Sequence, residues 1–180
     1  MILAAKGHEK ERKQMALIDG MLQELEEEAK ITRRVLERVP DNQLDWRPHQ
    51  KARTLGELAV HVATVPGGVA EFVASPSPVQ APNFTDPSLQ SASELIPALD
   101  QSIATAKKAL DGMNDAELMS TWRVIQGERE LLAIPRVAAL RSIMLNHWYH
   151  HRGQLTMYLR ALDVPLPSIY GPSADENPFA

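Results

Sequence analysis

The sequence predicts an all-α protein: a four-helix bundle with one long crossover loop and a short hairpin before the last helix. Three observations carry this reading. Four segments repeat apolar residues with the period of an α-helix. A stretch with four prolines between the second and third of them is too long to join adjacent antiparallel helices tightly. Sequence that favours strands is confined to one short stretch, so helices must cover helices.

The first helix is predicted from about Met15 to Val39. Leu17, Met21, Leu25, Ala29, Thr32, Leu36 and Val39 share one side, and the acidic run Glu24, Glu26, Glu27 and Glu28 falls mostly on the other, as a solvated face. Pro40 ends it. Residues 1–14 read as a flexible N-terminal extension, and residues 15–180 as the bundle domain with a C-terminal tail that wraps it. The segment "DNQLDWRPHQKAR" is a loop, with Trp46 as its anchor. Thr54, with Glu57 three residues on, is a capping box that opens a second helix at "TLGELAVHVATV". Pro66-Gly67-Gly68 is expected to kink or end that helix, although "VAEFVA" can continue it. Residues 75–90, "SPSPVQAPNFTDPSLQ", are the crossover. A third helix near Ser93 to Gly112 places Leu95, Leu99, Ile103, Ala106 and Leu110 at steps of three and four. "MSTWRVIQGERELLAI", broken at Gln126-Gly127, predicts the hairpin. The fourth helix runs from about Pro135 to Leu162.

Composition narrows the function. A chain of 180 residues, 44% hydrophobic and 23% charged, suits one soluble globular domain. Net charge is −4 and no basic run exceeds Arg33-Arg34 or Lys107-Lys108, so the electrostatic footprint of a nucleic-acid binder is missing. The absence of cysteine excludes disulfides, thiolate metal ligands and a cysteine nucleophile of the chain's own. The apolar stretch at the N-terminus is too short for a signal peptide, and no run approaches the roughly 18 residues of a membrane span. A cytoplasmic protein with no membrane partner is the expectation.

The informative stretch is "NHWYHHRGQL", residues 146–155. At about 100° per residue, Leu140, Met144, His147, His151, Gln154, Leu155, Tyr158 and Leu162 fall in one band, with Ser142, Asn146, Arg152, Thr156, Arg160 and Asp163 opposite. His147 and His151 are related as i and i+4, which lets two imidazoles converge from one helix. His150 lies nearer the edge of the band. In the second helix His61 shares a face with Thr54, Leu58, Val65 and Phe72. Two readings stay open. A histidine on an apolar face is commonly a core residue bonded to a carbonyl or water. Yet several imidazoles buried without partners would each cost roughly 1–3 kcal/mol, which one shared divalent ion removes, and three imidazoles are a ligand set of catalytic zinc sites.

The segment "TRRVLERVPDNQLDWRPHQKARTLGELAVHVA", the "HWYHHRGQL" stretch and the closing "LRALDVPLPSIYGPSADE" resemble the DinB family, the DinB/YfiT-like superfamily grouped as metal-dependent enzymes. Its most specific element is a histidine in the second helix followed by H-x-x-x-H-x-x-Q. The resemblance implies an up-down-down-up four-helix bundle, often a homodimer, with a divalent metal, commonly nickel or zinc, held by His61, His147 and His151. It also implies an open coordination position that activates water or a small thiol, hence a hydrolase or a thiol-dependent transferase acting on a small molecule. With no cysteine in the chain, the thiol would be a low-molecular-weight cofactor. The alternatives are a stress-related metal-binding protein and a small-molecule-binding bundle, neither with catalytic activity.

No general base is named by the sequence. Glu57 lies one turn before His61, but its capping role with Thr54 would occupy it; Asp175 and Glu176 lie in a tail able to fold back over the bundle mouth. Gln154 is either a partner of a histidine or a solvated side chain. Trp122 and Trp148 read as core or interface residues. Tyr149 and Leu145, apolar-leaning on the polar side of the fourth helix, suggest a dimer contact.

Overall fold

The computed structural model of the chain describes residues 16–83, 85 and 87–179. The expected extension over 1–14 and a helix start at Met15 lie outside the described residues. Helix α1 (Leu17–Leu36) buries Ile18, Met21, Leu25, Thr32, Val35 and Leu36, while Leu17 is exposed. The backbone N–H of Leu17, one of the orphan donors at a helix start, is satisfied by Asp115 at 2.9 Å.

Helix α2 (Leu55–Ala74) is the central rod, apolar on most sides and packed against the other long helices. Its entry is the capping box: Glu57 N–H donates to Thr54 Oγ1 at 3.1 Å, and Thr54 N–H donates to Glu57 Oε2 at 2.7 Å. Pro66 does not end the helix. Proline has no N–H, so the carbonyl four residues earlier, on Val62, loses its helical donor. The buried indole N–H of Trp148 donates to that carbonyl at 2.8 Å. The neighbouring Gly67 permits a close approach to helix α3 (Leu95–Leu110): a Cβ there would stand 2.7 Å from the Ser102 carbonyl oxygen. Ser102 Oγ stitches the crossing by accepting from Gly67 N–H at 2.8 Å and donating to the Thr64 carbonyl at 3.1 Å.

A strictly all-α description does not hold. Strand β2 (Thr121–Gln126) pairs antiparallel with β3 (Arg129–Pro135) about Gly127, whose φ of 61° suits glycine. Strand β1 (Val79–Gln80), drawn from the crossover, joins β2 in parallel to complete a three-stranded sheet. Residues alternate across a strand, so Trp122 and Val124 turn to the core together. Val79 packs against that core from the crossover, whose prolines favour extended backbone. A one-turn helix α4 (Asp115–Met119) precedes the sheet.

The last helical stretch begins as α5 (Arg136–Ala139), passes through a π-helical segment (Leu140–Asn146) and continues as α6 (His147–Ala161). A π turn takes in one extra residue, so every later side chain is rotated relative to an uninterrupted α-helix. The buried set is therefore Leu140, Met144 and Leu145, then Trp148, Arg152, Leu155 and Leu159. It is not the band through His147, His151 and Tyr158 that a constant period predicts.

Two expectations change with this slip. Arg152, predicted on the solvent side, is 2% exposed. Its guanidinium pairs with Glu28 at 2.6 Å, donates to Thr32 Oγ1 at 3.1 Å and bonds the hydroxyl of Tyr170, with the rings of Tyr149 and Tyr170 each 5.2 Å away. Leu145, expected on the polar side of the fourth helix, is fully buried, and Tyr149 donates to Glu24 at 2.9 Å.

The tail beyond α6 lies against α1 and α6. Arg34 bonds the Ser168 carbonyl at 3.0 Å and the Glu176 carboxylate at 2.5 and 2.6 Å, and Arg160 pairs with Asp175. Arg160 and Arg34 hold the Asp175 and Glu176 carboxyls below their ordinary range. No helix among the described residues is long and apolar enough to cross a membrane.

Gly67→Ala tests the crossing of α2 and α3. Its methyl group would meet main-chain atoms, which cannot swing aside, and a loss of about 1–3 kcal/mol is expected in denaturant titrations.

Candidate metal centre

His61 stands on α2, and His147 and His151 stand on the first turns of α6. The π slip moves the last two off the buried stripe, and all three rings are half-buried at its flank. The indole hydrogen bond from Trp148 to Val62 joins the residues next to His147 and His61, so it fixes the register in which these two histidines face each other.

The rings pack edge to face, with centroids 5.5 Å apart for His61 and His147, 4.6 Å for His61 and His151, and 4.4 Å for His147 and His151. One nitrogen from each lies within 4.8 Å of the others. The Nε2 atoms of His61 and His147 are 3.3 Å apart. Two nitrogens bound at about 2.0–2.1 Å to a tetrahedral ion would sit about 3.3–3.4 Å from each other, so the His61–His147 pair matches a divalent ion in spacing and the three imidazoles match one in kind.

Protonation points the same way. Burial, followed by the charges of His61, His150 and Arg53, lowers the pKa of His147. Burial pushes His151 down to about 4, against the opposing pull of its hydrogen bond to Gln154. Nδ1–H of His151 donates to Gln154 Oε1 at 2.8 Å. That bond places the ring proton on Nδ1 and leaves the Nε2 lone pair available. Gln154 is thus a partner of His151, not merely a solvated amide.

The remaining candidates lie outside the converging set. His150 is exposed, its ring centroid 5.1 Å from that of His151, and it is not among the three residues whose nitrogens converge. Glu57 is held in the capping box, and Asp175 and Glu176 in the ion pairs of the tail. What the sequence reading missed is the space beside the cluster. A cavity of about 310 Å³ opens at His61 and His147, walled by Val65, Val69, Ile143 and Pro87. Thr85 and Pro87 of the crossover also line a larger cavity of about 640 Å³ that contains Arg47 and Arg53.

Comparisons with known proteins agree with this fold. A family model described as the DinB superfamily matches residues 24–155. YrdA of Bacillus subtilis, an uncharacterized protein, is 26% identical over 165 residues, 88% of this chain and 91% of its own. A DinB-like protein of Bacillus cereus superposes with a TM-score of 0.65 at 22% identity, covering 85% of this chain and 97% of its own. YfiT of Bacillus subtilis, described as a probable metal-dependent hydrolase with an unusual four-helix bundle topology, gives a TM-score of 0.60 at 16% identity, over 88% of this chain and 95% of its own.

A pH titration tests the electrostatics. With its folded pKa held near 4, below the ordinary 6.5, His151 binds a proton more readily in the unfolded chain. Stability of chelator-treated protein should therefore fall as pH drops from about 6.5 toward 4. NMR should show the His151 ring titrating at the lower end of that window.

Proposed function

The chain belongs to the DinB superfamily, and from that premise we propose that it is a metal-dependent enzyme, a hydrolase acting on a small molecule. The observation that carries the reading is the convergence of His61, His147 and His151 from two helices, with the Nε2 atoms of the first two 3.3 Å apart. Those three imidazoles would hold the ion, nickel or zinc. When bound, it supplies Lewis acidity that makes water or a thiol nucleophilic near neutral pH.

The rest of the work falls to the chain. Gln154 fixes the proton of His151 on Nδ1 and orients the ring. The buried stripe of α6 holds the histidines in register against α2, and apolar walls stand beside His61 and His147. A thiol-dependent transferase is the second reading. It is favoured by the engagement of Glu57, Asp175 and Glu176 in structural contacts, since a low-molecular-weight thiol activated by the metal has less need of a carboxylate base.

Elemental analysis of protein purified without a histidine tag tests the site. About one divalent ion per chain is expected, falling to background in His147→Ala. Turnover of an ester and amide panel should disappear on chelation and return with metal; turnover only of thiol conjugates would select the second reading. A folded wild-type protein that takes up no nickel or zinc would sink both. Gln154→Leu should weaken metal binding about 10- to 100-fold in competition titrations while leaving the fold intact.

A further inference from the structure

Two adjacent glycines of α2 have opposite explanations. Gly67 is required by packing, since a Cβ there would strike Ser102. Gly68 is not: a Cβ at that position meets nothing within 4 Å, and its backbone is ordinary helix. Glycine in a helix interior costs stability relative to alanine, so a position that could accept alanine without a clash has given up helix stability for some other end. Gly153 of α6 also meets nothing, but it does not line the cavity beside the histidines. Gly68 does line it, the cavity of about 310 Å³ that ends on His61 and His147. Gly68 is exposed at the border of that space, so a side chain there would stand at the edge of the cavity.

The chemistry of that space is one-sided. Its lining holds Val65, Val69, Ile143 and Pro87, and among the described residues that line it the histidines alone can carry a charge. Thr64, one of its two hydroxyls, is turned back to donate to the Val60 carbonyl at 2.9 Å. Binding energy in such a pocket comes from apolar surface, and an ionic group seated there would lose its hydration without a partner.

We propose that this cavity receives the compact apolar part of an uncharged substrate, aliphatic or aromatic, whose polar end meets the histidine cluster, and that Gly68 sets the size of group admitted. The orientation of the polar end rests on the metal-enzyme reading; the apolar pocket does not.

The probes are acetohydroxamate and benzohydroxamate, which share a metal-binding head and differ in apolar bulk, titrated calorimetrically into zinc-loaded protein. Wild type should prefer benzohydroxamate by about tenfold or more. Gly68→Phe, with zinc content unchanged, should abolish the preference. Gly68→Ala, which suits the helix, should reduce it and serves if the larger side chain prevents folding. No preference in wild type, or the same preference in both variants, overturns the proposal. Xenon NMR on chelator-treated protein is the metal-independent arm. Xenon bound in wild type and displaced by Gly68→Phe supports the pocket even where zinc fails to bind, an outcome that removes the enzymatic reading alone; no xenon binding in wild type counts against the pocket.

Discussion

The hydrogen bond from the Trp148 indole to the Val62 carbonyl depends on a proline. Without Pro66 that carbonyl would be spent inside α2; with it, a buried acceptor needs a donor from outside the helix, and α6 supplies one. A buried acceptor left unpaired costs about 1–3 kcal/mol, so the two helices are tied at one register rather than free to slide. His61 and His147 are the chain neighbours of the two bonded residues. A residue type that ordinarily breaks helices here positions the rings across the crossing.

The π segment decides which face of α6 turns inward. Its extra residue places Trp148, Arg152, Leu155 and Leu159 in the interior and sets His147 and His151 at the side, where both meet His61 and His147 borders a cavity. The slip also carries Arg152 inside. Its charge is met by Glu28, by Thr32 and by two tyrosine rings, the kind of full satisfaction a buried guanidinium requires.

Much of this was legible in the sequence and some was not. Thr54 and Glu57 announced the start of α2, the steps of three and four along α3 found its buried face, and the spacing of the histidines marked them out before their positions were known. The π turn was invisible because nothing in "LRSIMLN" departs from an ordinary helical segment. Carrying the phase forward from Leu140 then put Arg152 in solvent. The stripe Trp148, Arg152, Leu155, Leu159 can be found by phasing α6 on its own apolar residues, a signal that was present and outweighed. The pairing of β1 with β2 is a long-range contact that a two-residue strand does not advertise. Pro66 was read by its usual effect, and its rescue needed a tryptophan far along the chain.

Because Glu28 precedes its partners Arg152 and Tyr170 by most of the chain, α1 emerges during synthesis with an acidic group that has nothing to answer it. The central rod follows, also lacking the indole that satisfies it. In the folded chain these groups are answered by α6 and the tail, which come last in the sequence. The pairing of Glu28 cannot be complete before residue 170 has been made, so that side of the bundle depends on nearly the full length of the polypeptide.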